Sequence, residues 1–101
     1  MDFQTWLERI DKACQEALHD ASQTPNSSGS KSVILKEGMT VQKMRAIQRR
    51  VMRFCELTQL TYIEVPMWFS FLPHRQYELV IDMTRYYLWG QNRMCITWYL
   101  R

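Results

Sequence analysis

The stretch at residues 40–57, TVQKMRAIQRRVMRFCEL, combines apolar and basic residues at helical spacing. On a helix with 3.6 residues per turn, the apolar side chains of this stretch fall within one arc, and arginines line the other side. The arc contains Val41, Met44, Ile47, Val51, Met52, Phe54 and Cys55. The stretch therefore predicts a core helix that also carries the most concentrated positive charge in the chain.

The start of this helix has two local signals. Thr40 can accept a hydrogen bond as the N-cap residue, and Met39 can pack on Met44 across the first turn. Just before them, Val33–Leu35 is a short apolar run that ends in a turn, which is typical of a brief strand. We predict a strand near residues 33–36 followed by a helix over residues 41–57.

Residues 3–21 have an amphipathic pattern, with Asp2 placed as an N-cap. The apolar face of this predicted helix contains Phe3, Trp6, Leu7, Ile10, Ala13, Cys14, Ala17, Leu18 and Ala21. A lone helix of this length is marginal in water, so the face needs a partner. That partner could be the helix's own domain, a second copy of the chain, or another protein.

Residues 22–32, SQTPNSSGSKS, form a polar tract with little to bury. This composition predicts a flexible linker that spans roughly 18 Å on average. The predicted organisation is an N-terminal helix at 1–21, a linker at 22–32 and a compact domain at 33–101.

The second half of the chain predicts two strands and one more helix. Residues 60–65 are β-branched and aromatic and indicate a strand, as do residues 93–100, which we expect to pair with 60–65. Residues 74–89 lie between a proline and a glycine and have a wide apolar arc, which predicts a helix. Residues 66–73 are compatible with a kinked continuation, an edge strand or an apolar loop.

These elements together predict a small α+β fold. A short antiparallel sheet would be covered by two or three helices, with the N-terminal helix on its flexible linker. With 101 residues, of which 47% are hydrophobic and 23% charged, the chain can bury a core of its own.

The net charge of +3 is unevenly distributed along the chain. Residues 1–21 carry five acidic residues against Arg9 and Lys12, whereas residues 31–55 carry seven basic residues against Glu37. This asymmetry indicates either an anionic partner or mutual neutralisation of the two segments.

The cysteines do not have the spacing of a metal site. Cys14, Cys55 and Cys95 are widely separated, and no Cys-x-x-Cys or Cys/His pair has the spacing of metal ligands. We expect free thiols in a reducing compartment, no metal and no cofactor.

Sequence motifs of catalysis are also missing. The chain has no glycine-rich phosphate loop, no G-x-S-x-G and no H-E-x-x-H. His74, Glu78 and Asp82 would share one face of the helix predicted at 74–89, where they are more typical of a solvated stripe paired with nearby arginines. We predict that the protein is not an enzyme.

The basic side of the 41–57 helix is the main candidate site. Arg45, Arg49 and Arg53 are spaced to form one row, which Lys43 and Arg50 flank. Planar guanidinium groups suit phosphate or carboxylate ligands. Three interpretations stay open, namely a merely solvated face, a nucleic-acid contact without helix-turn-helix spacing, or a contact with an acidic protein surface, of which the first helix could be one.

A second candidate site consists of apolar residues. The segment 67–71 places methionine, tryptophan and phenylalanine between two prolines, and it is either core or a protein-binding hot spot. The predicted protein interface comprises Trp6, Ile10, Met67, Trp68, Phe69, Met83 and Tyr86.

We therefore predict a non-catalytic regulatory or adaptor protein that acts through protein–protein contacts. We expect it to be cytoplasmic, since no signal sequence or transmembrane run is present. We also expect a homodimer that docks through an apolar helix face, with the arginine row steering an acidic partner. The alternative is a small nucleic-acid-binding regulator that uses the basic helix, and a small enzyme comes third.

Overall fold

Two helices lie against one face of a four-stranded sheet in the computed structural model, which describes residues 2–24, 27–35, 38–65, 77–86 and 91–100. In chain order the elements are α1 (Phe3–Ser22), β1 (Ser28–Leu35), α2 (Val41–Thr58), β2 (Thr61–Val65), β3 (Tyr77–Tyr86) and β4 (Gln91–Leu100). The predicted α+β class is confirmed.

The strands are arranged in the order β1-β3-β4-β2. β3 pairs antiparallel with both β1 and β4, whereas β2 pairs parallel with β4. β1 and β2 consequently run in the same direction, with α2 as the helical crossover that joins parallel strands. The sheet is therefore mixed, and the predicted purely antiparallel pairing was wrong. The predicted pairing of the last strand with residues 60–65 is confirmed.

The predicted N-cap of α1 is present. The backbone N–H of Thr5 donates to Asp2 Oδ1 at 2.7 Å, and this bond lowers the pKa of the Asp2 carboxyl. The buried side of the helix contains Trp6, Leu7, Ile10, Ala13, Cys14, Ala17 and Ala21, all of which belong to the predicted apolar face. The helix therefore finds its partner in its own sheet.

Both ends of α2 are held by hydrogen bonds. The N–H of Lys43 donates to Thr40 Oγ1 at 3.1 Å, as predicted for the N-cap. At the other end Gln59 adopts a left-handed conformation with φ of 57°, and the N–H of Leu60 donates to the carbonyl of Cys55 at 2.8 Å. This bond pattern is a Schellman motif, so α2 ends sharply and not by fraying.

β1 starts at Ser28 and not at Val33. Part of the serine-rich tract that was expected to be linker is therefore strand, paired with β3 from Ser28 opposite Thr84 onwards. Backbone groups make this pairing, so it does not need apolar side chains. Gly29 has a particular role here, because a β-carbon at this position would lie 2.5 Å from the carbonyl oxygen of Ala17 in α1.

The helix predicted at 74–89 was wrong, because Tyr77–Tyr86 forms β3. Leu79, Ile81 and Met83 are buried, whereas Val80 and Asp82 between them are half-buried and belong to the other face of the sheet. This alternation has the period of two residues that belongs to a strand. The remaining residues of the predicted helix, 74–76 and 87–89, lie outside the described residues.

The core lies between the two helices and one face of the sheet. Ile81 of β3 is directly opposite Ile96 of β4, and Met83 is opposite Met94; all four side chains are completely buried. Within the described residues no helix lies on the other face of the sheet, which carries the serines of β1. The fold therefore has two layers.

Two cationic side chains on the helix-facing side of the sheet form an ion pair or a hydrogen bond with α1. Lys31 Nζ lies 3.1 Å from Asp20 Oδ2 and 4.0 Å from Glu16. Arg85 Nη1 donates to the carbonyl of Ser22 at 3.1 Å, at the negative end of the helix dipole. These contacts fix the C-terminal half of α1 over β1 and β3.

Candidate functional site

The candidate site is the side of α2 that faces away from the core. Ile47, Val51 and Cys55 are buried and define the inward side of the helix. Successive residues are rotated by about 100° around a helix, so Arg45, Arg49 and Arg53 lie on the opposite side, and all three are exposed. We call these three residues the arginine ridge.

The five basic residues predicted as a site fall into two groups. Lys43 Nζ donates to the carbonyl of Gly38 at 3.1 Å and lies 5.5 Å from the centre of the Phe3 ring in α1. Arg50 Nε lies 3.0 Å from Asp11 Oδ1, although the contact lacks the geometry of a hydrogen bond. Lys43 and Arg50 are thus occupied at the junction of α1 and α2.

The arginine ridge makes no such contact. Within the described residues Arg45, Arg49 and Arg53 have no ion pair and no side-chain hydrogen bond. Glu56, which is exposed near the C-terminal end of the same side, is the acidic residue closest to them along the helix. The ridge therefore presents three guanidinium groups whose donors are directed to solvent.

Apolar side chains flank the ridge. The exposed large hydrophobic residues of the described chain are Val41, Met52 and Leu57, with 45%, 45% and 75% of their surface accessible. All three belong to α2. By helical angle Val41 and Met52 lie on one side of the ridge and Leu57 on the other. We call the ridge and these three residues together the α2 outer face.

The apolar part of this face was not predicted. Val41 and Met52 were assigned to the buried arc, but they lie at its margin, about 80–100° from its centre at Val51. A helix buries only a stripe of its surface, and the width of this stripe depends on the neighbouring elements. Leu57 was not singled out, although its helical angle places it away from the arc.

The residues of the predicted apolar interface are not those of the α2 outer face. Trp6, Ile10 and Met83 are completely buried in the core, so none of them is accessible in the folded chain. Residues 67–69, which contain Met67, Trp68 and Phe69, lie outside the described residues. Tyr86 is the last residue of β3.

The predicted carboxylate stripe does not form a helical row. Glu78 and Asp82 are four residues apart on one strand, about 13 Å along its length, and His74 lies outside the described residues. Ser32 Oγ donates to Glu78 Oε1. In the described part of the chain, no group of three or more histidine, cysteine, aspartate or glutamate side chains could hold a metal ion.

The thiols are free, and two of them are buried. Burial raises the pKa of Cys14 to about 12, with smaller contributions from Asp11 and Cys55. Burial also raises the pKa of Cys55 to about 11, and its Sγ lies 3.8 Å from Met94 Sδ. Both thiols are protonated at neutral pH, which makes them poor nucleophiles.

No family model, curated protein or solved structure matches this chain. Among the described helices, none is long and apolar enough to cross a membrane.

Proposed function

We propose that this protein is a non-catalytic binding protein whose α2 outer face docks an acidic protein partner. The observation that carries the proposal is the division of the basic residues on α2. Lys43 and Arg50 are occupied at the junction with α1, whereas the arginine ridge has no ion pair within the described residues.

The chemistry of the ridge suits carboxylates. A guanidinium group can donate two parallel hydrogen bonds to one carboxylate, and it is less strongly hydrated than an ammonium group. Three such groups in a row attract an acidic surface over several ångströms at low salt and thereby raise the association rate. The ridge would select the charge of the partner and speed its encounter.

The apolar residues beside the ridge favour a protein over a nucleic acid. Protein–protein interfaces are enriched in arginine and methionine, and Met52 and Leu57 are both exposed beside the ridge. Interfaces with nucleic acid are more polar and more positively charged. A phosphate backbone would leave these two side chains without an apolar partner.

A homodimer stays a prediction, and it would need other contacts than those first expected. Trp6, Ile10 and Met83 serve the core of the single chain. A two-fold contact through the α2 outer face would place one arginine ridge against another, which like charges oppose. Light scattering on the purified chain tests the prediction, and a monomer at micromolar concentration would contradict it.

The binding experiment uses the full chain and three polyanions. Poly-L-glutamate, a short DNA duplex and a single-stranded RNA are titrated at low and high salt. In the variant Arg45→Glu/Arg49→Glu we expect affinity for poly-L-glutamate to fall by about tenfold or more. The control Arg9→Glu/Lys12→Glu reverses the same amount of charge on exposed positions of α1 and should change affinity much less.

Two results would overturn the proposal. Equal losses of affinity in the two variants would mean that binding depends on the net charge of the chain and not on the arginine ridge. Tighter ridge-dependent binding of DNA or RNA than of poly-L-glutamate would replace the acidic protein by a nucleic acid.

A further inference from the structure

We infer that the partner segment recognised by the α2 outer face is an acidic amphipathic helix. Its carboxylates would lie along the arginine ridge, and its apolar side chains would contact Met52 and Leu57 on the two flanks. This inference rests on the proposed function and specifies the shape of its partner.

The geometry of the face carries the inference. Arg45 and Arg53 are eight residues apart, so the ridge is about 12 Å long at a rise of about 1.5 Å per residue. A partner helix with acidic residues at positions i, i+4 and i+8 has the same spacing. The interaxial distance depends on the side chains at the contact, and the arginine and glutamate side chains in the middle require long apolar side chains, such as leucine, to reach both flanks of the row.

An extended partner fits less well. In a strand, alternate side chains point to opposite sides, so a row of acids on the ridge would direct the intervening side chains away from it. Such a ligand could satisfy Arg49 and its neighbours but would leave Met52 and Leu57 in water. The apolar residues on both sides of the ridge therefore favour a helix.

The exposure of Leu57 is a property of an ordered helix. The next residues end α2 through defined hydrogen bonds, with Leu60 N–H bound to the carbonyl of Cys55 at 2.8 Å. Leu60 is buried, whereas 75% of the Leu57 surface is accessible. A rigid helix that holds an exposed leucine beside arginines provides a pre-organised contact. Single exposed leucines are common, but Val41, Met52 and Leu57 border one arginine row.

The inference is tested with designed peptides. The first is a helical peptide of about five turns with Glu at i, i+4 and i+8 and Leu on both sides of this row. The second has the same composition in scrambled order, and the third ligand is poly-L-glutamate. We expect the full chain to bind the first peptide about tenfold more tightly than the scrambled peptide, measured by fluorescence anisotropy.

Variants separate this inference from the proposed function. Met52→Ser/Leu57→Ser should lose the preference for the helical peptide and keep its affinity for poly-L-glutamate. Arg45→Glu/Arg49→Glu should lose both. The control Gln4→Ser/Gln15→Ser changes two exposed polar residues of α1 and should lose neither, and circular dichroism confirms that each variant is folded.

Each possible failure has a distinct meaning. If the helical and scrambled peptides bind equally well and binding depends on the ridge, the helical partner is wrong while the proposed function stands. If binding of all three ligands is independent of the ridge, the proposed function fails and this inference fails with it.

Discussion

Arg50 Nε of α2 lies 3.0 Å from Asp11 Oδ1 of α1, whereas the preceding residue, Arg49, is directed to solvent. Adjacent arginines on one helix therefore have different surroundings. Arg50 connects the two helices across their junction, and Arg49 belongs to the arginine ridge. This division separates cations that hold the fold together from cations that remain open to a partner.

Replacing Arg50 should affect stability more than replacing Arg49. The side chains of Arg50 and Asp11 are 34% and 42% exposed, so solvent screens their attraction. We expect Arg50→Ala to lower the free energy of unfolding by up to about 1 kcal/mol. Arg49→Ala should change it by less than about 0.5 kcal/mol. Urea unfolding of both variants makes the comparison.

A double-mutant cycle with Asp11→Ala isolates the pair. A coupling energy near zero between Arg50 and Asp11 would show that the ion pair does not stabilise the junction. Affinity for poly-L-glutamate should follow the opposite order, because Arg49→Ala should bind this ligand more weakly than Arg50→Ala.

Gly29 should not tolerate a side chain. A β-carbon there would meet the Ala17 carbonyl oxygen at 2.5 Å and Asp20 Cβ at 3.0 Å, so α1 or β1 must move. We expect Gly29→Ala to cost about 1–3 kcal/mol of stability, in the range of other overpacked sites. Ser30→Ala, an exposed position on the same strand, is the matched control. Equal melting temperatures for the two variants would contradict this close approach.

Glycine at position 59 should stabilise the protein. Gln59 has φ of 57°, a conformation that is unfavourable for a residue with a β-carbon and that ends α2. We expect Gln59→Gly to raise the free energy of unfolding by roughly 0.5–1 kcal/mol. Gln59→Ala retains the β-carbon and should give no such gain, which thermal unfolding of the two variants can show.

The buried thiols should make the protein less stable in alkali. The pKa values of Cys14 and Cys55 in the folded chain are about 12 and about 11, above the ordinary value of 9.0 for a thiol. Below about pH 9 the thiols are protonated in both states. Above it the unfolded chain loses these protons first, so stability falls as pH rises towards the folded-state values.

This dependence can be measured by urea unfolding at about pH 8 and about pH 10.5. Cys14→Ala costs stability at both pH values because it leaves a cavity, but the decrease between them should be smaller than in the parent chain. An unchanged decrease would mean that Cys14 does not titrate differently in the two states. A thiol reagent at neutral pH should react with Cys14 and Cys55 only after unfolding.

Both helices could be predicted from the sequence because their signals are local. Asp2 and Thr40 are N-caps that bond within their own first turns, and residues of each apolar stripe lie within a few positions of one another. Such interactions depend little on distant parts of the chain. The one disagreement, the exposure of Val41 and Met52, concerns the margin of a stripe.

The strands were harder to predict because their pairing is non-local. The first five residues of β1, SGSKS, have the composition of a linker, and their pairing with β3 makes them part of a strand. The segment that forms β3 has apolar residues compatible with both helical and strand periods. Its alternation of Leu79, Ile81 and Met83 becomes decisive only when the helix-facing side of the sheet is known.

Local sequence patterns were enough to predict the α+β class, the two helices with their caps, and the arginine row on α2. Which of the cations have partners depends on tertiary packing, because Asp11 lies beside Arg50 and Phe3 lies beside Lys43 at the junction of the two helices. Tertiary packing likewise decided which apolar residues stay exposed. A helical period specifies the angle of each side chain, but the neighbouring elements decide how much of that circumference is covered.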